Sequence, residues 1–220
     1  MKNHLFASIF AWFATAVAAQ TPNIIYMFDK YQDGTAVIKP AGIQQGKFNY
    51  DLISGKILFM DGEGKELVLA NPGVISSVEF GSRVFMHVSG DIFYEKIALP
   101  DNRAYYVRWR SNKLSKGKIS GHGTSTTASI GHMTSMYDMS STGYDLTSGE
   151  EYKLKPANAY YLWINGRYRQ FSNAKQLGQL FSGHESEISD FAQKEGINFE
   201  LPADVAKIME YCVQFIDSDS

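Results

Sequence analysis

The chain of 220 residues has a single cysteine, Cys212 near its carboxyl end, so no internal disulfide can form and the core alone must hold the fold. Lipid anchoring of the bacterial type would need a cysteine directly at a leader cleavage site, and none stands there. No Asn-x-Ser/Thr sequence occurs, so nothing points to a glycosylated eukaryotic surface protein. Basic residues never gather beyond a scattered pair or triplet, the nearest being Arg108-Trp109-Arg110, which argues against nucleic acid and membrane surfaces as partners. Neither a Walker loop nor Gly-x-Gly-x-x-Gly after a strand is present, and no cofactor is implied.

What is there begins with a leader. Residues 1–19, MKNHLFASIFAWFATAVAA, join Lys2 to an apolar run from Leu5 to Val17 and end in small residues, the form of a secretory signal peptide. The run is shorter than the ~20 residues that a spanning helix needs. Cleavage is expected after Ala19, giving a periplasmic or secreted protein that starts at Gln20. No later run is long and apolar enough to suggest a membrane span. Loss of Lys2 leaves 20 basic against 23 acidic residues, a net charge of −3.

From Ile24 to about Leu114, short β-branched and aromatic runs alternate with turn residues every eight to twelve positions. The runs are 36–39, 48–53, 56–60, 66–70, 78–80, 83–88, 92–97 and 104–109, and an antiparallel meander is the simplest arrangement for them. Asp61-Gly62-Glu63-Gly64 reads as a turn, because it lacks the remaining oxygen ligands of a calcium loop. Residues 115–149, rich in Ser, Thr and Gly, read as a long flexible loop. Then 159–164, Asn165-Gly166 and 167–171 give the strongest hairpin signal in the chain.

After Ser172 the apolar spacing changes to that of helices: Leu177, Leu180 and Phe181, then Ile188 and Phe191, then Val205, Ile208, Met209, Cys212 and Ile216. Ser172 reads as a helix cap, Ser182-Gly183-His184-Glu185 as a capping box, and Pro202 as the first turn of the last helix. The expectation is an α+β fold. A β-rich unit spans 20–171, as an antiparallel meander forming a curved sheet or partly open barrel, and three short helices follow in 172–220.

Catalytic motifs fail on inspection. His122, His132 and Asp138, in the run SGHGTSTTASIGHMTSMYD, are the candidates for a metal site, but their spacing fits no helix or hairpin that would aim both imidazoles at one ion. No Gly-x-Ser-x-Gly elbow presents a serine, Ser172-x-x-Lys175 lacks its companion motifs, and Ile188 stands where a zinc-protease helix starting at His184-Glu185 needs its second histidine. No catalytic residue is assigned. Tyr94, Tyr105, Tyr106, Trp109, Tyr160, Tyr161 and Trp163 could form a platform for a carbohydrate or peptide if several share an exposed face, yet strand alternation turns one ring of each Tyr-Tyr pair inward. Cys212 reads as a buried, inert thiol.

The stretches GTAVIK, FNYDLISGKILFMDGEGKELVLANP, VEFGSRVF and FYE, with the tail FSGHESEISDFAQKEGINFELPADVAKIMEYC, resemble a family of exported proteins of Bacteroidetes-type bacteria. The resemblance implies export past the inner membrane and transfers no activity and no catalytic residue. The expected role is that of a non-enzymatic envelope or secreted protein, a binding or assembly module for an envelope protein, peptide or glycan. The alternative is a hydrolase using a metal or hydroxyl in the 120–138 loop. Sequencing of the amino terminus of the exported protein should return Gln20 first; a chain still starting at Met1 in the exported fraction refutes the cleavage assignment.

Overall fold

The computed structural model describes residues 25–40, 42–69, 72–115 and 152–215. Twelve strands precede three helices: β1 (Gln32–Ile38), β2 (Gly42–Asp51), β3 (Lys56–Met60), β4 (Glu66–Val68), β5 (Ile75–Phe80), β6 (Arg83–Ser89), β7 (Ile92–Leu99), β8 (Arg103–Arg108), β9 (Ser111–Ser115), β10 (Tyr152–Pro156), β11 (Ala159–Ile164), β12 (Arg167–Phe171), α1 (Ala174–Gly178), α2 (Glu185–Lys194) and α3 (Pro202–Cys212). The described chain is therefore mainly β, and the helices form a carboxyl-terminal appendage rather than an equal α layer.

Ten strands make one antiparallel sheet in the order β12-β11-β8-β7-β6-β5-β1-β2-β3-β4, which is not closed. A single meander is not what forms. β1 to β4 make one meander and β5 to β8 a second, and they meet where β5 pairs with β1 instead of with β4. The three-residue β4 offers little edge, and a 3₁₀ turn at Pro72–Val74 leads into β5, with Val74 accepting a hydrogen bond from Lys39 N at 2.7 Å. At this seam Gly34 lies opposite Phe80, so close that a Cβ there would meet the Glu79 carbonyl oxygen and come within 2.6 Å of Phe80 Cβ. Between β8 and β11 the chain makes a separate two-stranded pair, β9 with β10. The two strands are short, and β9, Ser-Asn-Lys-Leu-Ser, carries little apolar alternation, so neither is among the runs expected from the sequence.

The sheet is rolled. Five strand spacings of about 4.8 Å separate β2 from β8, so a flat sheet would hold them roughly 24 Å apart. Instead the Tyr50 hydroxyl donates to Trp109 O at 3.1 Å and Ser111 N donates to Leu52 O at 2.8 Å. Lys56 pairs with Asp91 across the same fold, at 2.7 Å. Inside the roll, Phe48, Tyr50, Ile57, Phe59, Val78, Phe80, Phe85, Phe93 and Val107 are at most 1% exposed, and Phe85 stacks on both Tyr50 and Phe80.

The helices extend this core. Val205, Ile208, Met209 and Cys212 of α3 are fully buried, as are Leu177 of α1 and Ile188 of α2. Phe199 meets Phe171 of β12 edge-on, and the Arg103 guanidinium donates to the carbonyl of Val213. Burial pushes the Cys212 thiol up to about 12. No helix among the described residues is long and apolar enough to cross a membrane. Two caps differ from expectation. Asn173, not Ser172, caps α1: its Oδ1 accepts from Gln176 N, while Gln176 Oε1 reaches back to Ser172. The N-cap of α2 is His184, without a side-chain cap, and Glu185 accepts from Gly183 N instead of closing a box with Ser182. Pro202 does open α3.

Gly34→Ala should lower stability by about 1–3 kcal/mol through overpacking at the seam. Gly62→Ala, where an added Cβ meets nothing within 4 Å, should stay within about 0.5 kcal/mol of the parent in the same denaturant titration.

Candidate functional site

Strand alternation decides which of the singled-out aromatics can reach a ligand. Tyr105, Trp109 and Tyr160 turn into the roll, at 4%, 8% and 2% exposure, and drop out of any platform. Tyr94 on β7, Tyr106 on β8, and Tyr161 and Trp163 on β11 face the other way, with Tyr94 itself buried, at 8% exposure, beneath the neighbouring rings. The register sets Tyr161 beside Tyr106, so the rings run across adjacent strands.

A fifth ring, one not among the candidate residues, organises them. Tyr168 on β12 stands opposite Trp163 and lies edge-on to four rings, with centroids 4.6 Å from Trp163, 5.0 Å from Tyr106, 5.1 Å from Tyr94 and 6.5 Å from Tyr161. Tyr94 and Tyr161 stack face to face at 4.3 Å. The signal was present in the hairpin: Asn165 and Gly166 take positive φ, 50° and 73°, as a type I′ turn requires, and a two-residue turn fixes Trp163 against Tyr168.

The cluster joins an apolar surface to neutral phenols. Burial raises Tyr168 to about 12, helped by the neighbouring Tyr106 and Tyr94. Burial likewise lifts Tyr161, beside the Tyr94 hydroxyl, and Tyr106. These hydroxyls therefore keep their protons at physiological pH and can donate or accept hydrogen bonds. Trp163 is 45% exposed and forms the open rim. Two surface depressions lie elsewhere, one over β1, β2 and β5 and one between residues 156–158 and 197–200; neither is lined by a ring of the cluster.

A second polar constellation is sealed inside the roll. Glu95, 4% exposed, accepts at Oε2 from Arg83 Nη1 at 3.1 Å and from the Trp109 indole N–H. The guanidinium of Arg83 sits 5.5 Å from the Trp109 ring and 5.6 Å from the Phe28 ring. Burial pushes the Glu95 carboxyl above the usual range, opposed by Arg83 and the indole. Residues 25–28 close over this end: Asn49 holds Phe28 through both its N–H and its carbonyl, and Asp51 accepts from Ile25 N. A buried, satisfied ion pair with its lid stitched down is a structural arrangement.

His122, His132 and Asp138 lie outside the described residues, as does nearly all of the 115–149 stretch. Among the described residues, no group of three His, Cys, Asp or Glu side chains is placed to hold a metal ion. Comparison of the chain with protein-family models, with curated proteins and with solved structures finds no match in any of the three.

Glu95→Ala should cost about 3–5 kcal/mol, because the buried Arg83 loses the carboxylate it is paired with, whereas Arg83→Met/Glu95→Leu should recover most of that loss. Since the folded carboxyl binds its proton more tightly than the unfolded one, the parent gains on the acid side. Its stability relative to the double variant should therefore fall as pH rises from about 4.3, the unfolded value, and level off above the folded value. Denaturant titrations across that range measure both, and equal losses in the single and double variants would refute the pairing.

Proposed function

We propose that this chain is an exported, non-enzymatic binding or assembly module, working in the periplasm or outside the cell, that takes a peptide or glycan of the envelope on the face made by β7, β8, β11 and β12. The observation that carries this reading is the five-ring cluster on the side of the sheet that the core does not use. Packing the interior does not require it. The inner face already buries its own aromatics, yet five large rings are assembled on the opposite face of four adjacent strands.

The chemistry suits a partner with both apolar and polar surface. Rings held by one another lose little freedom on binding, and aromatic anchors of this kind dominate recognition surfaces. Neutral hydroxyls at the ring edges supply hydrogen bonds without the desolvation cost of a charge. The amino-terminal leader and the resemblance to exported bacterial proteins support the location.

Only Trp109 and Trp163 remain once the leader, with Trp12, is gone. Trp109 is buried and Trp163 is exposed, so acrylamide quenching reports on the platform. A peptide pool or an oligosaccharide pool from bacterial envelopes should protect Trp163 from quenching. Tyr168→Ala should weaken that binding by about tenfold or more, the loss typical of a central aromatic anchor. Unchanged quenching with both pools would sink the proposal.

A further inference from the structure

The ten-stranded sheet ends on two unlike edges. β4 is three residues long, and its Glu66 carboxylate is held by the hydroxyls of Tyr26 and Tyr31, at 2.7 and 2.6 Å. β12 has five residues and ends the sheet beside the aromatic cluster. In a two-residue hairpin the residues flanking the turn form a hydrogen-bonded pair, and bonded pairs then alternate along the strands. Ile164–Arg167, Leu162–Arg169 and Tyr160–Phe171 are accordingly the bonded pairs. The main-chain N–H and C=O of Tyr168 and Gln170 therefore point away from β11, about 6.8 Å apart along the edge. Among the described residues, no backbone hydrogen bond from outside the hairpin reaches either residue.

From this, and resting on the aromatic-face reading above, we infer that the open edge of β12 takes up an extended acidic polypeptide segment as an added strand, whose side chains pack on Trp163 and Tyr168. Donor and acceptor repeating together at a two-residue interval match another strand and no other common polymer. Charge selects the kind of strand. Arg167 and Arg169 on β12 are exposed, neither is in an ion pair among the described residues, and residues 159–171 contain no acidic side chain. The chain without its leader carries a net charge of −3, so this edge is a local exception. The same arginines disfavour a second copy, because pairing β12 with itself about a two-fold axis would bring like charges together. They disfavour a long polyanion too, since two arginines on an acidic body offer little counterion release.

The test uses the full chain without its leader and a fluorescein-labelled eight-residue peptide of alternating glutamate and valine, read by anisotropy. Its lysine counterpart, a version N-methylated on alternate residues and an acidic polysaccharide serve as comparisons. The glutamate peptide should bind, and the other three should bind at least about tenfold more weakly. Arg167→Glu/Arg169→Glu should weaken it roughly tenfold and favour the lysine peptide. Gln170→Pro removes the outward donor without touching a bond to β11, a position where an edge strand tolerates proline. It should abolish binding with an unchanged thermal midpoint; should that variant fold poorly, the N-methylated peptide asks the same question of the native chain. No binding, equal binding of the N-methylated peptide, preference for the polysaccharide, or a dimer in sedimentation that Gln170→Pro dissolves would each overturn the inference. If Trp163 is still protected by an envelope pool while the edge variants change nothing, the edge fails and the aromatic platform stands.

Discussion

The pairing of β1 with β5 is the contact on which the remaining architecture depends. Each four-strand meander alone would leave one apolar face in water; joined along this seam, they become a single sheet wide enough to roll and bury that face against itself. The seam is narrow because Gly34 has no side chain where Glu79 and Phe80 approach. Its position decides that β4, not β1, ends the sheet on one side, while the pairing of β11 with β8 puts the β11–β12 hairpin at the other edge.

Rolling gives the sheet an inner and an outer face with different side chains. The inner one collects Phe48, Tyr50, Phe59, Phe80, Phe85 and Phe93, with the Glu95–Arg83–Trp109 group buried at one end and residues 25–28 held over it. Burying a carboxylate there is tolerable only because two donors and two rings surround the pair. The outer face keeps aromatics in one place, where β7, β8, β11 and β12 lie side by side, and Tyr168 holds them as a unit.

Local rules made part of this legible. β3, β11 and β12 have the bounds expected from their alternation and turn residues; Ile188 of α2 and Val205, Ile208, Met209 and Cys212 of α3 are buried where the helical period puts them, Phe191 is half-buried, and Ile216 lies outside the described residues. What local rules could not supply was non-local. Nothing in the runs themselves says that β5 returns to β1, that the sheet stays open, or that β9 and β10 pair at the roots of the Ser/Thr/Gly-rich stretch. The caps missed by small offsets, since Ser172 and Asn173 are both good capping residues and only the backbone chooses between them. For the aromatics, alternation said that one ring in each Tyr-Tyr pair would face inward, but not which. The cross-strand register answers that, and it also reveals Tyr168.

The bonds that finish the roll join residues far apart in the chain: Tyr50 with Trp109, Leu52 with Ser111, and Arg103 with the carbonyl of Val213, 110 positions later. Loop-closure entropy must be met before any of them forms, so such a topology belongs among the slower folders. Because α3 and the carbonyl of Val213 supply part of what closes the core, the roll is complete only once the carboxyl-terminal end has joined it.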